Sequence, residues 1–340
     1  MTGPDRAPAV RDDARALPGL GLARLAAYLD RVAPELVGGP LRGTVLAGGK
    51  SNLTYEVTDG RSRFVVRRPP LGHVLATAHD MGREYRVLHA LAPTRVPVPG
   101  VLLHCPDPEV LGAPFYLMRF VEGRVYRVPA ELTPLGPDQV TNLARSLVET
   151  LGHLHAVPPA SVGLAGFGRP DGFAARQVRR WKTQIDASRS RDLPGVEELH
   201  DRLAAAVPPA GAATVVHGDF RLDNAVVGAG GGIRAVLDWE MSTLGDPLTD
   251  LGLLLVYSAR LAAPGWPDAE GLAAEYARRT GRDLSDLGWY VAFASFKLAA
   301  ILEGVHYRYV RGQTVGPGFD RVGEQVPPLI AQGLTTLGGA

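Results

Sequence analysis

A single cysteine, Cys105, stands in 340 residues, so no disulfide can close within the chain. That fits a reducing compartment and leads to the expectation of a cytoplasmic protein. An excess of charge of one sign is nearly absent: the formal net charge is +1, too small to draw the chain to nucleic acid or to a membrane surface. Neither is expected as a partner. The opening MTGPDRAPAVRDDARALPG has no apolar stretch of the kind a secretory signal needs, and residues 1–20 read as a disordered lead-in. The most apolar long run, 287–302, contains Ser295 and Lys297 and falls short of the ~20 residues that cross a bilayer. Internal repeats, zinc-ligand spacing, a G-x-S-x-G elbow and a Rossmann glycine pattern are all missing. A Walker A loop is missing too: Gly49-Lys50-Ser51 has the right ending, but Thr44 stands where the first glycine belongs and a strand-like run follows. What remains is ordinary globular composition, 46% hydrophobic and 21% charged, long enough for one large domain or two lobes.

The chemistry concentrates between Val215 and Asp238. Residues 214–216 read as a buried strand that runs into a polar loop, 217–224. A second apolar run at 225–227, the turn Gly230-Gly231-Gly232 and a third run at 233–237 then end on Asp238. Apolar runs of this kind aim their ends at one place, which gathers Asp219, Asn224 and Asp238. Two carboxylates and a carboxamide make a base with hard-oxygen ligands, better suited to Mg²⁺ and phosphoryl transfer than to transition metals.

The order His217-x-Asp219-x-x-x-x-Asn224, followed by Asp238-Trp239-Glu240, is similar to the H-x-D-x-x-x-x-N loop and D-F-G of protein kinases. On HGDFRLDN and LDWEMSTLGDPLTDLG the chain resembles the aminoglycoside phosphotransferase family. More narrowly, it resembles the kinase-like domains fused to, or encoded beside, acyl-CoA dehydrogenases, over roughly residues 41–302. The resemblance implies an α+β, two-lobed protein-kinase-like fold. Residues 21–122 would form a small N-lobe with an antiparallel sheet plus one helix, and 123–340 a larger, mainly helical C-lobe. It implies ATP or GTP as donor, Asp219 as the base for the acceptor hydroxyl, and Asn224 and Asp238 as Mg²⁺ ligands. Arg221 would touch the γ-phosphate or the substrate, or tie the loop to Glu240. His217 reads as a loop-bracing hydrogen bonder. Asp246 or Asp250 would help position the loop, with a helix N-cap as the other role for Asp246.

Upstream, 21–33 reads as an amphipathic helix, and 41–46, 53–57 and 64–66 as strands, with Asp59-Gly60 turning the last two. By resemblance the turn holding Gly48, Gly49, Ser51 and Asn52 covers nucleotide phosphates; a plain hairpin turn is the alternative. Arg67 occupies the position of the usual lysine that contacts the α- and β-phosphates, and Glu84, on a helix over 76–91, would be its partner. Arg68 reads as a solvated strand-end residue. Strands are expected at 101–104 and 114–120. The second would run into a hinge, with Met118 beside the base and the backbones of Arg119 and Val121 at its edge; Met118 as core filler is the alternative.

Helices are expected at 136–157, 173–188, 196–207, 249–261, 269–280, 287–310 and 320–337. His153 and His155 fall on different sides of the first, which suits packing and not a shared metal. Arg176, Arg179, Arg180 and Lys182, with Arg189 and Arg191, favour an anionic acceptor over a polycationic aminoglycoside, with a solvated helix face as the alternative. The expected protein is therefore a Mg²⁺-dependent small-molecule kinase, monomer or homodimer, acting on a hydroxyacyl-CoA-like or other anionic metabolite. The alternatives are an O-phosphotransferase acting on an aminoglycoside, macrolide or nucleoside antibiotic, conferring resistance, and a non-catalytic nucleotide-binding module.

Overall fold

The computed structural model describes residues 17–46, 52–71, 80–261, 263–313 and 318–338. Gly48, Gly49 and Ser51 of the expected phosphate-covering turn, residues 1–16 of the expected lead-in and the first residues of the helix expected over 76–91 lie outside these. Contacts divide the chain into two units. The first takes residues up to Tyr85 together with Gly100–Phe120; the second takes Arg86–Pro99 and Val121 onward. The secondary structure is the α+β set of the kinase-like fold.

The first unit is built on β1 (Arg42–Val45), β2 (Leu53–Thr58), β3 (Arg63–Arg68), β4 (Val101–Cys105) and β5 (Phe115–Arg119). They form a five-stranded sheet in the order β1-β2-β3-β5-β4, with every neighbouring pair antiparallel. Alternation sets its inner face. Tyr55 pairs with Val66, Val57 with Phe64 and Val66 with Leu117, and all five side chains are buried. Leu25 and Leu29 of α1 (Leu22–Val32) join the same core, each contributing ~1.5–3 kcal/mol on burial. The unit also holds α3 (Pro108–Leu111), a short helix that the sequence pattern does not announce, and the start of α2 (Met81–Leu91). Arg68 corrects its sequence reading. It is buried, and its guanidinium donates to the carbonyls of Gly19 at 2.6 Å and Leu111 at 2.7 Å, satisfying backbone acceptors instead of meeting solvent.

The second unit is mainly helical: α4 (Pro137–His155), α5 (Phe173–Ser188), α6 (Val196–Ala205), α7 (Leu248–Ser258), α8 (Ala269–Thr280), α9 (Leu287–Val310) and α10 (Val326–Gly338). Two antiparallel ribbons accompany them. β6 (Thr214–Val216) pairs with β9 (Thr243–Gly245), and β7 (Ala225–Val227) pairs with β8 (Ile233–Val236). β9 is too short and too glycine-rich to read from sequence, yet it is the strand that seats β6. Residues 86–99, read from sequence with the N-terminal half, cluster here because Arg86 donates to Gly163 O at 3.0 Å and Val236 N–H donates to Pro97 O at 2.8 Å.

α9 is the hub of this unit, packing on α10, α7 and α5. Gly252 of α7 permits the closest approach: a Cβ there would stand 2.5 Å from Tyr290 O. α9 also corrects the sequence reading of its apolar run. At 24 residues it is long and apolar enough to cross a membrane by length and composition, but 72% of its most apolar window is buried inside the fold. The apolar run ended at 302 because Glu303, His306 and Arg308 interrupt the pattern while the helix continues. The expected 320–337 helix is split into a single 3₁₀ turn, Val322–Gln325, and α10, whose first turn carries Pro327 and Pro328.

Candidate active site

In the first unit Arg67 and Glu84 meet. Arg67 Nε lies 2.9 Å from Glu84 Oε2, with the two side chains 10% and 2% exposed. Glu84 is held further by Asn52 Nδ2, donating to Oε1 at 3.1 Å, and by the Tyr116 hydroxyl, donating to Oε2 at 2.9 Å. A buried carboxylate needs such saturation, because desolvation is only offset when its lone pairs are all engaged. Tyr116 was missed from the sequence. Its signal lies in the register, where Tyr116 stands directly across from Arg67 and so shares its face of the sheet. Met118 is buried opposite Val65. The Arg119 N–H donates to Gly100 O at 2.8 Å, so that donor is already engaged. Val121 follows, as the first residue of the second unit after Phe120.

In the second unit β6 leads into the loop 217–224. The carboxylate of Asp250 on α7 is fully buried and accepts the N–H of His217 at 2.6 Å and of Gly218 at 2.8 Å. Behind it His155 Nε2 approaches at 3.3 Å, while His155 Nδ1 lies 2.7 Å from the Tyr276 hydroxyl. Burial pushes the His155 imidazole below the usual histidine range, so it is neutral: Nε2–H donates to Asp250 and Nδ1 accepts from Tyr276. Burial alone would raise Asp250, but the bonds from His155 and the loop outweigh it and hold the carboxyl below its ordinary value. Of the two carboxylates considered for positioning the loop, Asp250 does so. Asp246 accepts Leu248 N–H at 2.9 Å in the first turn of α7.

His217 stitches two segments. Its Nδ1 accepts the Asp219 N–H at 3.1 Å, which leaves Nε2–H to donate to Leu237 O at 2.9 Å. Its ring packs 4.6 Å from that of Trp239. Leu237 N–H donates in turn to Asn224 O at 2.7 Å, so the residue before Asp238 is bonded to both ends of the loop. Asp238 itself has φ +65° and ψ +62°, left-handed backbone at a non-glycine residue that costs ~1–3 kcal/mol. The fold sustains it through the buried Trp239, whose Nε1–H donates to Val236 O at 2.9 Å. Gly218 is required where it stands: φ is +84°, and a Cβ would sit 2.6 Å from Met241 O.

Asp219 is 24% exposed at its side chain, open enough to meet a substrate. Asn224 Nδ2 donates to its carbonyl at 2.9 Å and to its Oδ2 at 3.0 Å. Two acceptors on one side fix which end of the amide is NH₂ and turn Oδ1 away from Asp219. A carboxamide oxygen at Asn224 and the carboxylate of Asp238 are hard donors few enough to leave a Mg²⁺ ion room for phosphate oxygens, so the donor set fits that ion. Arg221 lies 3.5 Å from Asp219 Oδ2 and 2.8 Å from Asp223 Oδ2, with its guanidinium 4.5 Å from the Tyr257 ring centroid. Burial disfavours this cation, but Asp219, Tyr257 and Asp223 outweigh it and keep it firmly charged. Asp223, pushed up by burial, and Tyr257 belong to this cluster and were missed; Asp223 lay inside the motif as one of its unspecified positions.

The basic segment is largely internally neutralised. Lys182 pairs with Asp186 and Glu197, Arg189 with Asp192 and Glu197, and Arg191 with the buried Glu303. Arg176 donates to the carbonyls of Asp171 and Arg169. Arg179 and Arg180 are exposed.

Residues 42–290 match the phosphotransferase enzyme family. Acyl-CoA dehydrogenase family member 11 of Gallus gallus is 36% identical over 320 residues, 88% of this chain and 41% of the relative. The chain thus spans less than half the length of that relative. A crystal structure of a Ralstonia eutropha protein classed among aminoglycoside phosphotransferases superposes with a TM-score of 0.81 at 31% identity, covering 94% of this chain and 98% of that one. The ternary complex of aminoglycoside phosphotransferase APH(4)-Ia with AMP-PNP and hygromycin B gives 0.62 at 16% identity, covering 93% and 98%, a likeness of fold. With that match over most of its length and a loop stitched as above, the chain belongs to the phosphotransferase enzyme family, kinase-like enzymes that transfer phosphate to a hydroxyl group.

Proposed function

We propose that this chain transfers the γ-phosphate of ATP or GTP to a hydroxyl group of an anionic, hydroxyacyl-CoA-like metabolite. The observation that carries the reading is the hydrogen-bonded loop in which Asp219 is exposed to a substrate while Asn224, His217 and Arg221 fix its surroundings. Asp219 takes the proton of the acceptor hydroxyl as its oxygen bonds to the γ-phosphorus and the β–γ bridging oxygen leaves with the nucleoside diphosphate. Asn224 and Asp238 would hold Mg²⁺, which supplies neutralisation of the phosphate charge. Arg67, braced by Glu84, would meet the α- and β-phosphates, and the family resemblance assigns Gly48, Gly49, Ser51 and Asn52 to the same phosphates. Met118, the Arg119 carbonyl and Val121 serve the base, and Arg221 steadies the transferring group. Donor use by nucleotide is supported by the AMP-PNP bound in the APH(4)-Ia structure.

The acceptor class is supported by the relatives, which are named as acyl-CoA dehydrogenase family members and of which this chain matches 41% and 27%. Local charge supports it less than the sequence suggested, since most of the basic residues already have partners and Arg179 and Arg180 carry what remains. A second reading, an antibiotic O-phosphotransferase, is favoured by the likeness to the Ralstonia protein along its full length. One screen separates them: labelled ATP and GTP with Mg²⁺ against hydroxyacyl-CoAs, aminoglycosides, macrolides and nucleoside antibiotics. Labelled acyl-CoA product supports the proposal. Label on an aminoglycoside with none on any anionic acceptor refutes it, and binding of nucleotide without transfer to any acceptor points to the non-catalytic module.

A further inference from the structure

Lys297 lies in the apolar middle of α9, and the mechanism above makes no use of it. The side chain is buried, its ammonium donates to the carbonyl oxygen of Gly218, and Nζ stands 5.5 Å from the ring centroid of Trp181 on α5. Burying an ammonium is costly unless it is paired and hydrogen-bonded, so a lysine in this helix calls for a reason beyond packing.

The reason lies in one peptide unit. The Gly218–Asp219 peptide is gripped at both ends: its C=O accepts from Lys297, and its N–H donates to His217 Nδ1 at 3.1 Å. The N–H of Gly218, one peptide earlier, is held by Asp250 at 2.8 Å. Glycine has little preference of its own between backbone basins, so side chains and not Gly218 must choose the orientation of that unit. Rotating it would re-aim the Asp219 side chain that follows. We infer that Lys297 is a positioning residue for phosphoryl transfer, pinning the Gly218–Asp219 peptide so that the Asp219 carboxylate points at the acceptor. The inference rests on the reading of Asp219 as the base.

The groups that act on Lys297 are Asp219 from the loop and Asp250 from α7, which favour its cation, and Arg180 from α5, which opposes it; burial lowers its pKa below the usual lysine range. The ammonium is therefore lost at lower pH than an exposed lysine would lose it, and a guanidinium in its place would not titrate.

The test uses Lys297→Met and Lys297→Arg in the full chain, with Mg²⁺·ATP hydrolysis to water as a turnover that needs no acceptor. Lys297→Met is expected to lower kcat about 10–100-fold, the order that a small misplacement of a catalytic group costs, with the KM for ATP changed by less than about threefold. Lys297→Arg is expected to restore most of kcat and move the alkaline limb of the pH–rate profile upward. Hydrogen exchange over 214–224 is expected to quicken in Lys297→Met. A Lys297→Met enzyme within about twofold of wild-type kcat refutes the inference, as does a loss of kcat matched by an equal loss of nucleotide binding sites, the mark of a purely structural role. If the wild-type chain transfers phosphate neither to water nor to any acceptor of the screen above, the kinase reading fails first. Exchange then decides alone: faster exchange upholds the pinning of the peptide, and unchanged exchange overturns it.

Discussion

Asp250→Asn is the perturbation that most fully engages the architecture of the loop. The wild-type carboxylate accepts two backbone N–H groups at 2.6 and 2.8 Å and faces His155 at 3.3 Å, all in the interior. An asparagine keeps one acceptor oxygen and turns an NH₂ toward at least one of these donors. One charge-assisted bond is lost, worth ~1.5–3 kcal/mol, and one buried donor is left unsatisfied at ~1–3 kcal/mol, for a total on the order of 4 kcal/mol. Because both bonds end on the peptides that precede Asp219, turnover should fall as well, by about 10–100-fold even in the folded fraction. Urea unfolding at pH 7 gives the stability change, and turnover per nucleotide-binding site gives the second. A destabilisation under about 1 kcal/mol with unaltered turnover would show that the loop holds its shape without Asp250, and the account of its anchoring would be wrong.

Three further outcomes follow from the same geometry. Arg67→Met should raise the KM for nucleotide about tenfold or more and destabilise the fold by ~3–5 kcal/mol, because Glu84 is left buried without its cation. Adding Glu84→Met should recover only part of the stability, because the Asn52 amide and the Tyr116 hydroxyl then lose their buried acceptor, and none of the nucleotide binding, as thermal melts with and without nucleotide would report. Gly218→Ala should destabilise by on the order of 3 kcal/mol in urea titrations, since it combines positive φ with a Cβ against Met241 O. His155 is neutral in the fold with a depressed pKa, so its contribution is present above the unfolded value of ~6.5 and is lost as pH falls toward the folded one. The urea midpoint should therefore drop between about pH 7 and pH 5, and His155→Asn should flatten that part of the slope.

Much of the site was legible because it is local. His217, Asp219 and Asn224 sit within one loop, where their side chains share hydrogen bonds. Arg67 and Glu84 needed the family pattern, since a glutamate on a helix is ordinarily solvated. What escaped depends on contacts between residues far apart in sequence. Tyr116, on β5, reaches Glu84 on α2 across 32 positions, and Lys297 reaches Gly218 across 79 positions from inside an apolar helix. Arg68 was misread because nothing local says that a strand-end guanidinium will find two backbone carbonyls. The basic residues around α5 were overvalued for a related reason, as composition shows the cations and hides that Glu197 and Glu303 meet several of them.

The central claim is that Asp219 is the base of a phosphoryl transfer, and replacing it by asparagine tests that claim most directly. The carboxamide keeps the size and one hydrogen-bonding oxygen of the original side chain but cannot take up the proton. The account predicts that Asp219→Asn binds Mg²⁺·nucleotide within about threefold of wild type while transfer falls ~10²–10⁴-fold. Transfer at the wild-type rate in that variant would contradict it.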